Sequence, residues 1–148
     1  MISLITLIFI AAPVSLLIHE LGHVTVALFL GAENSLISLG SGQEILKGRI
    51  GKLDFRIHLF LFHGAYSLNE NKQSFTNSQQ ALISMGGPVM NVCLSAALYF
   101  TGISQLSVLL HWLFLFNLYL AVVNLVPISI KGRKSDGYRI VKCFIKPK

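Results

Sequence analysis

The chain has 148 residues, of which 53% are hydrophobic and 12% are charged, and its formal net charge is +6 at pH 7. Soluble domains carry about 25% charged residues, so this composition argues against a soluble domain and indicates contact with lipid. The basic excess requires no nucleic-acid partner, because the Lys and Arg residues cluster around the apolar runs, as topology signals do.

Three apolar runs are long enough to cross a bilayer as helices, which takes about 20 mostly apolar residues. They lie at about 2–30, 80–102 and 106–130. No basic segment precedes the first run, and it is longer than the core of a signal peptide. We therefore expect a retained helix and not a cleaved leader.

The segment at about 33–68 has a different pattern, with short alternations of apolar and polar residues such as Lys52–Ile57. Together with glycines at 40, 42, 48, 51 and 64, it predicts a small curved sheet of short strands and tight turns. Leu59–Phe62 is apolar throughout, so one strand is expected to dip into the membrane interface. The predicted fold is a mainly α integral membrane protein with three transmembrane helices, a small β-sheet inserted between the first and second, and one unit over 1–148.

The basic residues predict the orientation of the chain. One group lies between the first two apolar runs, and the other lies in the tail 131–148; the members are Lys47, Arg49, Lys52, Arg56 and Lys72, then Lys131, Arg133, Lys134, Arg139, Lys142, Lys146 and Lys148. Two crossings separate the groups, so both share one side, which the positive-inside rule makes cytoplasmic. We expect a multi-pass protein of the cell membrane with its N-terminus outside and with 31–79 and the tail inside. Tyr138–Ile145 is amphipathic and suited to the membrane surface.

The first apolar run contains the sequence HELGH. On a helix, His19 and His23 lie on one face, one turn apart, which suits two ligands of a tetrahedral Zn²⁺, and Glu20 beside them can act on a water molecule. A chance match is the alternative. An ionisable group costs at least about 2.5 kcal/mol at the centre of a membrane helix and is usually functional there, so the motif favours metal catalysis.

A catalytic zinc site needs a third protein ligand and an open position. The metzincin extension would place Gly and His where this chain has Val26 and Phe29. Of the six acidic residues, Asp136, just after the third run, is the favoured ligand. A different membrane metalloprotease with a glutamate as third ligand remains an alternative, with the candidates Glu33, Glu44 and Glu70.

Helix depth gives an independent indication of a shared site. His19 follows Ile2 by 17 residues, or about 26 Å of helix, and Asn124 follows Leu106 by 18 residues, or about 27 Å. Because both helices are expected to enter from the outer face, the two motifs reach a common level near the cytoplasmic side.

These motifs resemble the site-2 protease family, intramembrane zinc metallopeptidases of the M50 type. The resemblance rests on HELGH in the first helix, GGPVMN (Gly86–Asn91) in the second, and Asn124–Pro127 followed by Asp-Gly in the third. It covers nearly the whole chain as a minimal bacterial core. It implies that His19, His23 and Asp136 bind zinc, and that HGAYSL (His63–Leu68) corresponds to a strand beside the substrate.

The sequence departs from the family pattern before the aspartate. A longer basic insert, ISIKGRKS, separates Pro127 from Asp136, and Ser135 stands where the family usually has leucine. We expect the insert to loop out so that Asp136 returns to the metal; a solvated turn is the alternative, since Asp-Gly is also a common turn sequence.

Other polar and small residues carry weaker expectations. Asn91 and Asn124 are candidates for holding the substrate or orienting a ligand, as is Gly64 in the predicted strand, and Gly87 is a candidate for shaping the site. Gly86, Gly87 and Pro88 are expected to break or kink the second helix and to allow close helix packing. Asn117 is assigned to packing, His111 to the outer interface, and His63 is expected nearer the cleft than His58. Cys93 and Cys143 support neither a disulfide nor a metal site.

The predicted function is hydrolysis of peptide bonds in or near transmembrane segments of membrane-protein or peptide substrates, with Zn²⁺ as cofactor and Glu20 as general base. The expected partners are this substrate and the lipid bilayer, with no nucleic acid. The alternative from another class is a non-catalytic metal-binding membrane protein or partner-stabilising subunit that kept the motif.

Overall fold

The computed structural model describes residues 2–102, 107–130 and 132–145, which form five α-helices, a π-helical turn and four strands. Leu106, where the third apolar run was predicted to start, lies outside the described residues, as do three lysines of the predicted basic tail, Lys131, Lys146 and Lys148.

The first apolar run forms a continuous helix with a local change of winding. It consists of α1 (Ile2–Thr6), a π-helical turn (Leu7–Ala11) and α2 (Ala12–Phe29). Pro13 lies in the first turn of α2 and has no N–H to donate to the preceding turn. Because a π-turn loosens the hydrogen-bond ladder, it accommodates the proline where a regular helix would be interrupted.

The second and third apolar runs form α3 (Asn77–Phe100) and α4 (Val108–Leu125). A capping box between Thr76 and Gln79 begins α3, and of the predicted break or kink at Gly86–Pro88 the break does not occur, because the helix continues through Pro88. Helix α4 ends before residue 130, the predicted end, because Val126 precedes Pro127 and adopts an extended conformation.

Three helices of the described residues have the length and apolar composition needed to cross a bilayer, as predicted. They cover Leu4–Phe29, Asn77–Phe100 and Val108–Leu125. Large apolar side chains point outward from them, with Phe29 93% and Phe100 83% exposed. Such a surface is unusual for a soluble monomer and typical of a surface that contacts another apolar phase.

A sheet follows α2, as predicted, but its strands are long. Strand β1 (Asn34–Ile50) and strand β2 (Leu53–Glu70) are joined by a tight turn at Gly51, whose φ is 59°. The prediction of short strands was wrong, because the glycines at 40 and 64 bend the strands (φ 83° and 113°) without ending them. The first half of β1 is paired on both edges: Leu39, for example, lies opposite both Ala65 and Ile57.

The bend of β2 packs against the first helix. The rings of Phe62 and Phe9 meet edge to face, with 5.7 Å between their centroids. Phe9 belongs to the π-helical turn and precedes His19 by ten residues, so the bend lies beside the N-terminal part of the helix. Phe60 and Phe62 remain partly exposed there.

Two glycines bring α2 and α3 into backbone contact. A Cβ atom added to Gly22 would overlap the carbonyl group of Gly86, and one added to Gly86 would overlap that of Gly22. Small residues at such a crossing let two helices approach more closely than larger side chains permit.

The insert before Asp136 forms a small hairpin. Strand β3 (Ser129–Ile130) pairs antiparallel with β4 (Arg133–Lys134), and α5 (Asp136–Ile145) follows. The Ser135 hydroxyl closes the hairpin: it donates to the carbonyl of Val126 (2.6 Å) and accepts from the N–H of Ile128 (2.9 Å). It also accepts from the N–H of Tyr138 (3.1 Å), so it caps α5. The insert therefore loops out, as predicted, and the hydroxyl of Ser135 stabilises the hairpin.

Helix α5 is held against the end of α4. A Cβ atom at Gly137 would overlap the carbonyl group of Leu125, so the glycine of the Asp-Gly pair permits this close approach. Helix α5 leaves Val141, Phe144 and Ile145 exposed, in agreement with its amphipathic sequence.

Candidate metal centre

Three potential metal ligands converge between α2 and α5. His19, His23 and Asp136 are buried, with 5%, 7% and 6% of their surface exposed. Asp136 Oδ2 lies 3.0 Å from His19 Nε2 and 3.4 Å from His23 Nε2, and the two Nε2 atoms are 3.1 Å apart. The structure thus brings together His19 and Asp136, two of the predicted ligands, which are 117 residues apart in the sequence.

Hydrogen bonds on the far side of both imidazoles fix their orientation. His19 Nδ1 donates to Asn91 Oδ1 (2.5 Å), and His23 Nδ1 donates to the carbonyl of Ile83 (2.7 Å). Both partners are carbonyl oxygens, which can only accept, so in the neutral imidazoles the protons reside on Nδ1 and the Nε2 lone pairs point inward. Two imidazole nitrogens and a carboxylate oxygen then face one another as acceptors, an arrangement that a cation satisfies.

The donor set fits zinc. Two histidines and one carboxylate are a known ligand set of catalytic zinc, and each ligating histidine normally donates its other N–H to an oxygen, as both do here. Burial raises the pKa of Asp136, but in the metal-free chain protonated His19 and His23 donate to the carboxylate and lower the pKa to about 2; a bound cation would take the place of those protons. Asp136 is therefore a carboxylate at neutral pH, the form that binds metal.

Gly87 makes room for the imidazoles. A Cβ atom at this position would lie 2.5 Å from His23 Nε2 and 2.7 Å from His19 Nε2. This contact gives the second glycine of GGPVMN a steric role beside the metal centre.

We expect Gly87→Ala to weaken zinc binding by about 10- to 100-fold, because its methyl group displaces both imidazoles from the positions that their hydrogen bonds give them. Competition with a fluorescent chelator measures this affinity. Ala97→Ser, which adds one atom at an exposed position of α3, is the control. Wild-type zinc affinity in Gly87→Ala would contradict the steric role.

A buried chain of amides supports His19 from behind. Asn91 Nδ2 donates to Asn117 Oδ1 (2.5 Å), and Asn117 Nδ2 donates to Ser15 Oγ (2.8 Å) and the Leu113 carbonyl (2.7 Å). Asn91 and Asn117 are fully buried. Sequence analysis assigned Asn117 to packing alone; the signal that could have singled it out is an amide within an otherwise apolar helix.

Asn117→Leu should weaken zinc binding by about tenfold, the lower end of the usual effect of removing a partner behind a metal ligand, because Asn117 contacts the partner Asn91 and not His19 itself. The substitution leaves the Asn91 amide with only the long hydrogen bond to the Ser15 carbonyl (3.4 Å), so its oxygen holds the proton on Nδ1 of His19 less firmly. Tyr119→Leu places the same leucine at an exposed position of α4 and should leave zinc affinity unchanged. Equal zinc affinities of the two variants, measured by chelator competition, would contradict this role.

Glu20 is buried beside the ligands and touches the sheet. Its Oε2 accepts a hydrogen bond from the Ser67 hydroxyl of β2 (2.6 Å). Sequence analysis did not single out Ser67, because only the folding of the sheet onto α2 brings it to Glu20.

A cleft of about 700 Å³ opens at this centre. The helices contribute His19, Glu20, His23 and Asn124; the sheet contributes Gly40, Ser41 and His63–Ser67; and the hairpin and α5 contribute Gly132, Arg133, Lys134, Asp136 and Arg139. Two weaker candidates, Asn124 and Gly64, therefore line the cleft. The amide of Asn124 donates to the carbonyl of Leu120 in its own helix (3.0 Å).

The remaining histidines and acids lie elsewhere. His63 lines the cleft and contacts the Ser41 hydroxyl (2.7 Å), whereas His58 contacts the backbone of β1, and His111 is exposed in the first turn of α4. Among the residues that the structure describes, no other group of three His, Cys, Asp or Glu side chains could hold a metal ion. The alternative third ligands Glu33, Glu44 and Glu70 are thus not part of this group, and Cys93 and Cys143 are free thiols.

Comparison with known proteins identifies the family of the chain. The model of the family described as Peptidase family M50 matches residues 7–108, which include HELGH and GGPVMN and end before Asp136. A Chlamydia pneumoniae protein named "putative zinc metalloprotease" is 27% identical, over 62% of this chain and 19% of its own length. This chain thus spans about a fifth of that relative. Because the family model covers more than half of the sequence, the protein belongs to peptidase family M50.

Proposed function

We propose that this protein is an intramembrane zinc metalloprotease that hydrolyses peptide bonds in or near transmembrane segments of membrane proteins or peptides. The observation that carries the proposal is the convergence of His19, His23 and Asp136, whose ligand atoms all lie within 4.8 Å of one another, in a cleft that also contains Glu20. Family membership supports a metalloprotease, and the three apolar helices support its location in a membrane.

The proposed topology places the N-terminus outside and the sheet and tail on the cytoplasmic side. It is supported by the basic residues at 47–72 and 133–142, which precede α3 and follow α4. The metal centre would then lie toward the cytoplasmic ends of α2 and α4. The bend of β2, which contacts Phe9, would reach further into the lipid.

The chain's own residues supply proton transfer in the proposed reaction. Zinc bound to this donor set would lower the pKa of a water molecule to about 7 and polarise the scissile carbonyl. The Glu20 carboxylate accepts the proton of the attacking water and passes it to the leaving amine. The Ser67 hydroxyl, which donates to Oε2 of Glu20, keeps the carboxylate turned toward the cleft.

Strand β2 offers a place for the unwound substrate. In a transmembrane helix, the backbone carbonyls accept hydrogen bonds from N–H groups of the same helix. The substrate therefore has to become extended before hydrolysis. Residues 64–67 line the cleft, and 65–67 pair along one edge with β1. The other edge of this segment suits addition of an extended peptide as a further strand.

The test uses the purified full chain and a model single-span peptide in proteoliposomes. We expect about one zinc per chain, cleavage that stops after chelation with 1,10-phenanthroline, and recovery when Zn²⁺ is added back. Bound zinc without cleavage would favour the non-catalytic metal-binding alternative, whereas cleavage that survives complete metal removal would contradict the proposed chemistry.

A further inference from the structure

Three basic side chains form one wall of the cleft. Arg133 and Lys134 lie on β4, directly before Ser135 and Asp136, and Arg139 lies one turn into α5. All three are exposed. We call this group the cationic wall; it stands in the same cleft as Glu20, the metal ligands and residues 64–67 of β2.

The cationic wall has no acidic partner within the described residues. The chain has only six acidic residues, and all are described. The ion pairs found are Lys47–Glu44, Arg49–Asp54, Arg56–Glu44 and Lys72–Glu33, besides the contacts of Asp136 with His19 and His23. Glu20 is bonded to Ser67, and the one contact of the wall with a side chain ring is Lys134 over Tyr138 at 5.8 Å. Four of the five basic residues on or beside the sheet thus have an acidic partner, the exception being Lys52, which donates to the carbonyl of Ala32, whereas none of the three at the cleft has one.

The wall lies within reach of a substrate residue close to the scissile bond. Arg139 is three positions after Asp136 on a helix, which corresponds to about 5–6 Å between Cβ atoms. Lys134 is two positions before Asp136, or about 7 Å along an extended chain. An extended substrate advances by about 3.3 Å per residue, so its second to fourth residues from the scissile bond would pass the wall.

We propose that Arg133, Lys134 and Arg139 select substrates that carry an aspartate or glutamate within about four residues of the scissile bond. The inference rests on the proposed function. The Ser135 hydroxyl holds both the end of the hairpin and the start of α5. The position of the cationic wall is therefore fixed relative to Asp136. A substrate carboxylate would supply the missing partners and set the register of the peptide in the cleft.

A lipid phosphate is the less favoured occupant. The side chains of the cationic wall line the cleft, whereas Lys142, about one turn beyond Arg139 on α5, does not. The exposed Phe144 and Ile145 provide α5 with a separate apolar surface for lipid.

The experiment compares three versions of one single-span peptide, with a pair of Glu, Gln or Lys residues placed on either side of the cleavage position, in vesicles of zwitterionic phosphatidylcholine. The zinc-loaded full chain should cleave the Glu peptide with a kcat/KM about tenfold above that of the Gln peptide, and the Lys peptide least. In the variant R133Q/K134Q/R139Q, the kcat/KM for the Glu peptide should fall to about the kcat/KM for the Gln peptide. Lys142→Gln changes the same charge on the same helix and should retain the tenfold preference.

Binding separates this inference from the proposed function. The Glu20→Gln chain, titrated against the fluorescein-labelled peptides, should bind the Glu peptide about tenfold more tightly than the Gln peptide, whether or not the wild type cleaves it. The difference should shrink in 0.5 M salt, because exposed charges are screened. When R133Q/K134Q/R139Q are combined with Glu20→Gln in one chain, the difference in affinity between the Glu and Gln peptides should disappear. Equal binding of the peptides, or none at all, overturns the proposal. So does a triple variant that keeps the peptide preference and loses binding only to vesicles containing phosphatidylglycerol.

Discussion

The substitution Glu20→Gln is expected to lower peptide hydrolysis by a factor of about 10²–10⁴ while the zinc content stays at the wild-type level. Glutamine keeps the shape of the side chain and an oxygen that can accept the hydrogen bond of Ser67, so the fold and the metal ligands are preserved. The amide cannot take up a proton, and general base catalysis contributes about 10²–10⁴ to a rate. The measurements are the initial rate of cleavage of a model single-span peptide and the metal content by mass spectrometry.

The matched control is Glu70→Gln, the same change at the end of β2 and outside the cleft of the metal centre. It should leave both rate and zinc content unchanged. Activity retained in Glu20→Gln would refute the role of Glu20, and loss of zinc in that variant would show that this carboxylate is itself a metal ligand.

Removing the carboxylate of Asp136 should release the metal. Asp136→Ala is expected to weaken zinc affinity at least about a hundredfold and to abolish hydrolysis, because two imidazoles alone leave a tetrahedral ion short of a protein ligand. Asp136→Asn preserves the volume at the start of α5 and loses only the negative charge, so it separates metal loss from misfolding. Zinc affinity by chelator competition and helix content by circular dichroism report the two effects.

Asp54→Asn provides the control for the aspartate, since Asp54 pairs with Arg49 on the exposed part of the sheet. It should bind zinc like the wild type. If both Asp136 variants bind zinc with wild-type affinity, the third ligand lies elsewhere and the glutamate alternative regains weight.

The local features of the site were predictable because they depend on neighbours in the sequence. HELGH places His19 and His23 one turn apart on one helix face with Glu20 next to His19, and the three apolar helices follow from composition and length. The position of Asp136 was predictable as a return of the chain after a loop. The sequence did not reveal the hairpin itself, because strands of two residues give no periodic pattern.

The supporting contacts could not be predicted, since they join residues far apart in sequence. Ser67 lies 47 residues from Glu20, and Asn117 lies 26 residues from Asn91. Which polar side chain meets which depends on the rotation and depth of each helix, and no local pattern encodes these. The long strands of the sheet were missed for a related reason: a glycine with positive φ marks both a turn and a bend within a strand.

The contact between Gly22 and Gly86 divides the molecule into parts with different freedom of motion. With two backbones touching, α2 and α3 cannot slide past each other without separating, so the imidazoles and the glycine beside them move as one rigid unit. We therefore expect a peptide to gain entry by displacing the walls made of β2 and the hairpin. A spin-label pair joining the hairpin to β2 should report a wider distance distribution than a pair joining α2 to α3.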